Sequence, residues 1–152
     1  MERADVSAVL AMMMELNRVG HEIDPRYRVH DQVERMLRDL INQEWLGVFR
    51  PFPAAFVAEE EGVVVGYVQG DIGKPHPILV EPPKAKIGNL WVQPSHRRTG
   101  VASALVETYV AAAKAAGFEW IEVGTLGTDQ RAVAFWRNAG FADWRLTLMR
   151  ES

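Results

Sequence analysis

The chain has 152 residues, of which 48% are hydrophobic and 24% charged, and its formal net charge is −3 at pH 7. This composition is typical of one globular domain spanning residues 1–152, and the acidic balance argues against a general nucleic-acid or membrane-surface binder. The absence of cysteine excludes a disulfide framework and a thiolate metal site, and the four histidines lack metal-ligand spacing, so we expect no metal.

The N-terminal part of the sequence has the pattern of two helices. Apolar residues recur at helical spacing over about residues 5–18, and a second stripe runs from Val33 to Ile41 after a polar turn at residues 21–28. The first helical pattern begins at once, without the features of a signal peptide, and no stretch is apolar enough to span a bilayer. We therefore expect a cytoplasmic protein.

The middle of the sequence changes to strand patterns. Residues 54–58 and 63–68 are predicted to form a β-hairpin whose turn is the acidic run at 59–62. Residues 73–84 contain four prolines and are predicted to form a long loop. Residues 85–92 are predicted to be the next strand.

The C-terminal half alternates helices and strands. A helix is predicted to begin after Gly100 and to end at Gly117, and residues 120–123 read as a strand. Thr128 or Asp129 is expected to cap a short helix that ends at Gly140, before a last strand at 144–149. The element order α-α-β-β-β-α-β-α-β predicts an α/β (mixed α+β) fold, with helices on both faces of a mixed sheet.

One turn has the composition of a polyphosphate site. Pro94 stops the strand, and the basic turn with Arg97, Arg98 and Gly100 opens directly into the helix that contains Ala102. Backbone N–H groups and the helix dipole favour an anion at a helix N-terminus, and small residues allow its close approach. The alternative is a solvated pair of arginines on an ordinary turn.

Three ordered signatures over residues 85–141 carry a resemblance to a known family. They are Leu90-x-Val92-x-Pro94, Arg97-x-x-Gly100-x-Ala102 and Ala132-x-x-Phe135-Trp136-x-x-x-Gly140-Phe141. Together they resemble the GNAT family of N-acetyltransferases, which move an acetyl group from acetyl-coenzyme A to a primary amine. The resemblance implies a GNAT-like fold, with a central sheet splayed around the coenzyme.

The resemblance also implies a set of coenzyme contacts. The Leu90 N–H would point at the thioester oxygen and Val92 would pair with the pantetheine amide, while Asp129 stands near the pantetheine arm unless it is only a helix N-cap. The implied coenzyme-binding residues are Leu90, Trp91, Val92, Arg97, Arg98, Thr99, Gly100, Val101, Ala102, Asp129, Ala132, Phe135 and Trp136.

The sequence departs from the family at both proton-transfer positions. Many relatives place a glutamate on the central strand where this chain has Lys86, so the base that deprotonates the amine is unassigned. The candidates are Asp71, Glu81 and Glu122, with His96 a further option by chemistry. The tyrosine that relatives use to protonate the leaving sulfur is replaced by Trp136, whose indole N–H is a poorer acid.

The sequence is compatible with two functions of different classes. The first is an acetyl-coenzyme A-dependent N-acetyltransferase, in which a primary amine of a small molecule or a protein attacks directly in a ternary complex. The alternative is a non-catalytic acyl-coenzyme A-binding or sensing module, since both usual proton-transfer groups are missing. No nucleic-acid or membrane partner is expected, and a homodimer is left open, with residues 144–149 as a candidate pairing edge.

Overall fold

The computed structural model describes residues 1–42, 55–74 and 78–150. The helices are α1 (Val6–Ile23), α2 (Val33–Leu40), α3 (Val101–Ala115) and α4 (Gln130–Asn138), and the strands are β1 (Ala55–Glu60), β2 (Val63–Ile72), β3 (Lys84–Val92) and β4 (Trp120–Val123). The predicted mixed α/β fold is confirmed. No helix in the described ranges has the length and apolar character needed to cross a membrane.

The sheet has the order β1-β2-β3-β4, with two antiparallel pairs followed by one parallel pair. The pairing of β3 with β4 runs only from Lys84 opposite Trp120 to Ile87 opposite Val123. Beyond Ile87, β3 continues to Val92 with β2 as its one neighbour among the described strands. The sheet is therefore open along the last five residues of β3, on the side where β4 has ended.

A β-bulge lies where this opening begins. Gln69 pairs with Asn89 and Gly70 pairs with Ile87, so Gly88 is the extra residue on β3. A Cβ at Gly88 would lie 2.7 Å from the Oε1 atom of Gln69. Glycine therefore lets the strand bulge against the Gln69 side chain.

Two hydrophobic layers cover the two faces of the sheet. Buried residues of α1 pack with Tyr67 and Trp91 on one face. Buried residues of α3 pack with Val68, Val92 and Trp136 on the other face. Strand residues alternate between the two layers, as a sheet with helices on both faces requires.

Most predicted elements are present with shifted ends. Helix α1 continues to Ile23, and β3 begins at Lys84, which was expected to lie in the proline-rich loop. That loop is irregular where it is described, and residues 75–77 of the prediction lie outside the described residues. The hairpin turn is shorter than predicted: Glu59 and Glu60 belong to β1, and positive φ angles of 51° and 79° place the turn at Glu61 and Gly62.

The stripe on α2 is only partly covered. Leu37 and Leu40 pack against the core beneath α1, and Ile41 is fully buried just after the helix. Met36, which belongs to the same predicted stripe, is 56% exposed. An eight-residue helix covers only a narrow strip of core, so one position of the apolar pattern stays in solvent.

The predicted last strand at 144–149 is wrong. Residues 141–150 contain no strand, and Trp144, Leu146 and Leu148 are 64%, 82% and 82% exposed. Alternation of apolar residues indicates which side chains would be buried in a sheet. A strand also needs a hydrogen-bonded neighbour, and the alternation does not show whether one is present. At the other end of the chain, residues 3–5 form a 3-10 helix that leads directly into α1.

Candidate functional site

The basic turn and the start of α3 form an open site for an anion. Gly100 precedes the helix with φ +91° and ψ −9°, and no atom lies within 4 Å of the position its Cβ would take. The first helical hydrogen bond joins the Ala104 N–H to the Gly100 carbonyl at 3.0 Å, so the N–H groups of residues 101–103 precede it. These N–H groups and the helix dipole suit a phosphate.

The two arginines of the turn differ in position. The Arg97 Nε donates to the Val92 carbonyl at 3.0 Å, and its guanidinium carbon lies 4.6 Å from the centroid of the Trp91 ring. Arg97 therefore ties the turn to the end of β3. Arg98 is exposed and has a left-handed backbone with φ +64°. Both arginines are exposed, but only Arg98 has a left-handed backbone, two residues before the N-cap Gly100.

Side chains of the turn also support its own backbone. The Thr99 hydroxyl donates to the His96 carbonyl at 2.6 Å. The His96 ring lies with Nδ1 2.8 Å from the Ser95 hydroxyl and Nε2 3.0 Å from a Glu60 carboxylate oxygen. These contacts place His96 on the outer side of the turn, beside the hairpin.

The open edge of β3 presents backbone groups to the gap beside β4. The Gln93 N–H donates to the Val65 carbonyl at 2.8 Å, which points that residue toward β2. Backbone groups of successive strand residues point to opposite sides, so those of Leu90 and Val92 point away from β2. The Val92 carbonyl accepts the hydrogen bond from Arg97, so the backbone groups of Leu90 and the Val92 N–H are the ones that face the gap beyond Val123.

Helix α4 packs its aromatic residues beside this gap. Trp136 is 8% exposed, and its ring meets Phe135 and Phe141 edge-to-face at centroid distances of 5.0 and 5.3 Å. The Asp129 carboxylate accepts a hydrogen bond from the Ala132 N–H at 3.0 Å and so caps the helix. Capping is thus the contact that Asp129 makes within the chain.

The family model for the acetyltransferase (GNAT) family matches residues 14–141. The chain belongs to the GNAT family. No curated protein sequence matches this GNAT chain. Solved structures match its fold at low sequence identity.

Three of these structures show the range of the likeness. The aminoglycoside N-acetyltransferase AAC(6')-Iy in complex with coenzyme A is 18% identical, with 99% of this chain and 91% of that chain covered and a TM-score of 0.72. An aminoglycoside acetyltransferase from an uncultured soil metagenomic sample, in complex with sisomicin, is 22% identical, with coverages of 100% and 92% and a TM-score of 0.69. A transcriptional regulator from Bacillus halodurans C-125 is 19% identical, with coverages of 100% and 96% and a TM-score of 0.72.

Two predicted base candidates flank the position where many GNAT relatives carry a glutamate. Lys86 pairs in register with Asp71 on β2 and with Glu122 on β4. Residues directly opposite each other in a sheet project to the same face. Two carboxylates therefore stand on either side of the GNAT glutamate position, although the position itself is a lysine.

The third candidate, Glu81, lies in a buried ion-pair cluster. Its side chain is 3% exposed and pairs with Lys84 at 2.8 Å and with Arg145 at 2.6 Å. Glu122 joins the cluster at 3.3 Å from the Lys84 ammonium, and the hydrogen bond to Glu81 raises the pKa of Lys84. Glu81 is enclosed between two cations, whereas the Glu122 side chain is 37% exposed. Of the two carboxylates that contact Lys84, Glu122 is therefore the one accessible to a substrate.

A polar strip on β2 is a feature that sequence reasoning missed. Tyr67, Gln69 and Asp71 alternate along the strand and so share the face that α1 partly covers. The Gln69 Nε2 donates to the Gly70 carbonyl at 3.1 Å, and Asn89 donates to the Gln69 Oε1 at 3.3 Å. These hydrogen bonds fix the Gln69 side chain beside the bulge at Gly88. In the sequence, the only sign of the polar strip is the presence of polar side chains within an apolar strand.

Asp24 is held by an arginine of its own turn. Its carboxylate accepts hydrogen bonds from the Arg26 N–H at 3.0 Å and from the Arg26 guanidinium at 2.9 and 2.7 Å. The Arg26 side chain is the main reason that the pKa of Asp24 falls to about 2. Asp24 is therefore charged at neutral pH but is too weak a base to accept an amine proton.

Two buried polar atoms have no hydrogen-bond partner among the described residues. They are the Tyr67 hydroxyl and the Trp91 indole Nε1, and the two residues pair in register across β2 and β3. Burial raises the pKa of the Tyr67 hydroxyl, so it stays protonated. Such groups carry a desolvation cost that a bound water would relieve.

Replacing Tyr67 with phenylalanine is expected to leave the free energy of unfolding unchanged or to raise it by about 1 kcal/mol, because an unpaired buried hydroxyl is removed. The matched change Tyr109→Phe should lower it by about 1 kcal/mol, because the Tyr109 hydroxyl donates to the Lys86 carbonyl at 3.0 Å. Urea unfolding of both variants measures the difference. A larger loss in Tyr67→Phe than in Tyr109→Phe would show that the Tyr67 hydroxyl has a strong partner.

Proposed function

We propose that the protein is an acetyl-coenzyme A-dependent N-acetyltransferase in which a primary amine attacks the thioester directly in a ternary complex. The proposal rests on one observation. The Gly100 turn follows β3, and β3 is the strand whose edge is open beyond Ile87. The anion site at the turn suits the pyrophosphate of coenzyme A. The open strand edge suits its amide-containing arm, which can pair with the edge as a strand does.

The coenzyme arm would lie along the open edge of β3. Val92 would pair with an amide of the arm as a neighbouring strand does, while residues 98–102 hold the pyrophosphate. The Leu90 N–H would then donate to the thioester oxygen, where negative charge develops during attack. A fixed donor at that point stabilises the transition state, typically by about 3 kcal/mol.

The reaction needs a neutral amine and a leaving thiolate. The amine nitrogen forms a bond to the carbonyl carbon, the carbon–sulfur bond breaks, and coenzyme A leaves with the electron pair. An alkyl amine has a pKa near ~10.4, so only about one molecule in a thousand is neutral at pH 7 and a proton acceptor is required. The thiolate has a conjugate acid with a pKa near ~8.5 and can leave without a protein acid, which is compatible with Trp136 at the usual tyrosine position.

Asp71 and Glu122 are the groups that we assign to the acceptor amine. They flank Lys86 on one face of the sheet, in register with it on either side. Lys86 is about 13 Å along the strand from Leu90, so the amine proton would reach these carboxylates through water rather than by direct contact. Their negative charge also favours a cationic acceptor.

The proposed acceptor is a basic primary amine. The solved structures that resemble the chain include complexes with sisomicin and with a coenzyme A–acetylneamine bisubstrate analogue. The carboxylates beside Lys86 fit such a polycationic small molecule, and they also fit a lysine side chain or a protein N-terminus. A panel that contains aminoglycosides, polyamines and basic peptides separates these classes by kcat/KM.

The double variant Asp71→Asn with Glu122→Gln is expected to lower kcat/KM by about 100-fold, because proton transfer by a positioned base contributes a factor of this size. The matched control is Glu119→Gln, an exposed carboxylate in the residue before β4. The measurement is kcat/KM against pH, and the ascending limb should change in the double variant alone. An unchanged pH profile would remove both carboxylates from the reaction.

The second candidate function is a non-catalytic acyl-coenzyme A sensor. Two observations favour it: Lys86 occupies the position of the usual glutamate, and Trp136 is packed among aromatic rings where relatives have an acid. The two functions share the coenzyme site and differ in turnover. Tight binding of acetyl-coenzyme A without amine-dependent thiol release across the panel would favour the sensor.

A further inference from the structure

Two side-chain amides face each other across β2 and β3 at the bulge. Asn89 lies in register with Gln69, directly after the bulged Gly88. The Gln69 side chain is buried, and Asn89 is half-buried. Gln69 alternates along β2 with Tyr67, whose side chain belongs to the layer beneath α1. The two amides therefore lie on the α1 face of the sheet.

Hydrogen bonding fixes the orientation of both amides. The Gly70 carbonyl can only accept, so the Gln69 Nε2 must face it, and the two atoms are 3.1 Å apart. The Gln69 Oε1 then faces Asn89 and needs a donor, which is the Asn89 Nδ2 at 3.3 Å. The Asn89 Oδ1 is consequently turned away from Gln69, and it accepts no hydrogen bond within the described part of the chain.

This Asn89 oxygen lies next to the proposed oxyanion donor. The Asn89 Cα and the Leu90 N–H belong to one peptide unit, so the Asn89 side chain begins beside the place where the thioester oxygen would bind. The Leu90 side chain packs on the opposite face, in the layer of α3, where Val92 and Trp136 are buried. On the α1 face, by contrast, Asn89 is half-buried and Lys86 is exposed. An amine therefore has access to the thioester from the α1 face.

The carboxylates that we assign to the acceptor amine lie on this same face. Asp71 alternates with Gln69 along β2 and is in register with Lys86. The α1 face thus offers a neutral amide oxygen beside Leu90 and charged carboxylates farther along the strands. An attacking primary amine has two N–H groups, and each kind of acceptor suits one of them: the amide directly, and the carboxylates through water.

We propose that the Asn89 Oδ1 accepts a hydrogen bond from the attacking nitrogen and so selects an acceptor with two N–H groups, which is a primary amine. This inference rests on the proposed acetyl transfer. The nitrogen becomes positively charged as it bonds to the carbonyl carbon, and the amide dipole stabilises that charge. Asn89 takes no proton. One proton of the amine leaves through water toward the carboxylates, and the hydrogen that Asn89 holds remains in the product amide.

Thiol release from acetyl-coenzyme A with matched amine pairs tests this contact. The probes are putrescine with N,N′-dimethylputrescine, a lysine peptide with its Nε-methyllysine form, and an aminoglycoside with its derivative methylated at the acetylated amine. Asn89→Leu keeps the shape of the side chain and removes the oxygen, so kcat/KM for the primary amine should fall about 30-fold.

The methylated amine should respond much less to the same substitution. It carries a single N–H, which must leave through water, so Asn89→Leu should lower its kcat/KM by no more than about threefold. The preference for the primary amine should therefore shrink about tenfold. A purely structural role of Asn89 would lower both rates equally.

Gln69 is a positioning residue in this account, because it acts by orienting Asn89. Gln69→Met should lower kcat/KM for the primary amine about tenfold. The double variant Gln69→Met with Asn89→Leu leaves no unpaired amide, and it should lose no more than Asn89→Leu alone. The matched control is Asn138→Leu, which changes an exposed asparagine at the end of α4 and should keep the wild-type rates.

Several results would overturn the inference while leaving the acetyl transfer intact. They are an Asn89→Leu variant whose kcat/KM for the primary amine stays within about twofold of wild type, an unchanged preference for the primary amine, and losses that multiply in the double variant. Loss of acetyl-coenzyme A binding in Asn89→Leu would also overturn it, because the side chain would then support the strand edge. The absence of thiol release by the wild-type chain with every amine is a different result, and it would overturn the proposed transfer together with this inference.

Discussion

The double variant Arg98→Glu with Gly100→Glu is expected to weaken binding of acetyl-coenzyme A by at least about 100-fold. The change reverses the exposed charge at the turn and sets a carboxylate in the open space where the pyrophosphate would approach the N–H groups of α3. Two anions that compete for one helix N-terminus repel each other, and the loss of a charge-assisted contact adds to this effect.

The chain offers a closely matched control for that variant. Gly62 in the hairpin turn also has a positive φ, at +79°, and no atom lies within 4 Å of its Cβ position, so Gly62→Glu carries the same backbone strain as Gly100→Glu. The control is a double variant that also carries Arg35→Glu, because the Arg35 side chain is 79% exposed. The control should bind the coenzyme as the wild type does. Retained micromolar affinity in the turn variant would contradict the assignment of the phosphate site.

The second large effect is expected from Gly70→Ala, a change of one methyl group that should lower the free energy of unfolding by about 3 kcal/mol. A Cβ at Gly70 would overlap the Tyr109 hydroxyl and the Lys86 carbonyl, which are hydrogen-bonded to each other. To make room, the strands would have to separate beside the bulge at Gly88. We therefore expect a loss of coenzyme binding together with the loss of stability.

Gly124→Ala is the control for that prediction. Gly124 directly follows β4, and no atom lies within 4 Å of its Cβ position. Urea unfolding and coenzyme titration of both variants should show losses in Gly70→Ala alone. A stable Gly70→Ala variant with normal coenzyme binding would show that α3 shifts to accept the methyl group, and that the contact does not fix the bulge.

Features set by neighbouring residues were predicted well from the sequence. The turn at Gly100, the helix after it and the strand at 120–123 each depend on glycine conformation, local periodicity or capping within a few residues. The cap of α4 is an example: Asp129 and Ala132 are three residues apart, and their hydrogen bond has the spacing that the sequence indicated.

Features that depend on distant residues were not visible in the sequence. The pair Glu81–Arg145 joins positions 64 residues apart, and it turns a predicted base candidate into part of a buried cluster. Asp71, Lys86 and Glu122 come together only through the registers of three strands. The bulge at Gly88 depends on Gln69 of the neighbouring strand, and a single-strand pattern carries no information about it.

The segment 144–149 shows why a correct pattern can give a wrong element. Its alternation predicts a strand, but a strand requires a hydrogen-bonding neighbour, and the described part of one copy places only Trp120 and Glu81 against the start of this segment. Leu146, Leu148 and Met149 therefore remain exposed despite the strand-like pattern.

Calorimetric titration with acetyl-coenzyme A, followed in the same sample by thiol release against the amine panel, tests the central claim most directly. We predict saturable binding and thiol release that depends on a basic primary amine. The absence of coenzyme binding would contradict the site at the Gly100 turn. Binding without release from any amine of the panel would contradict the proposed transferase.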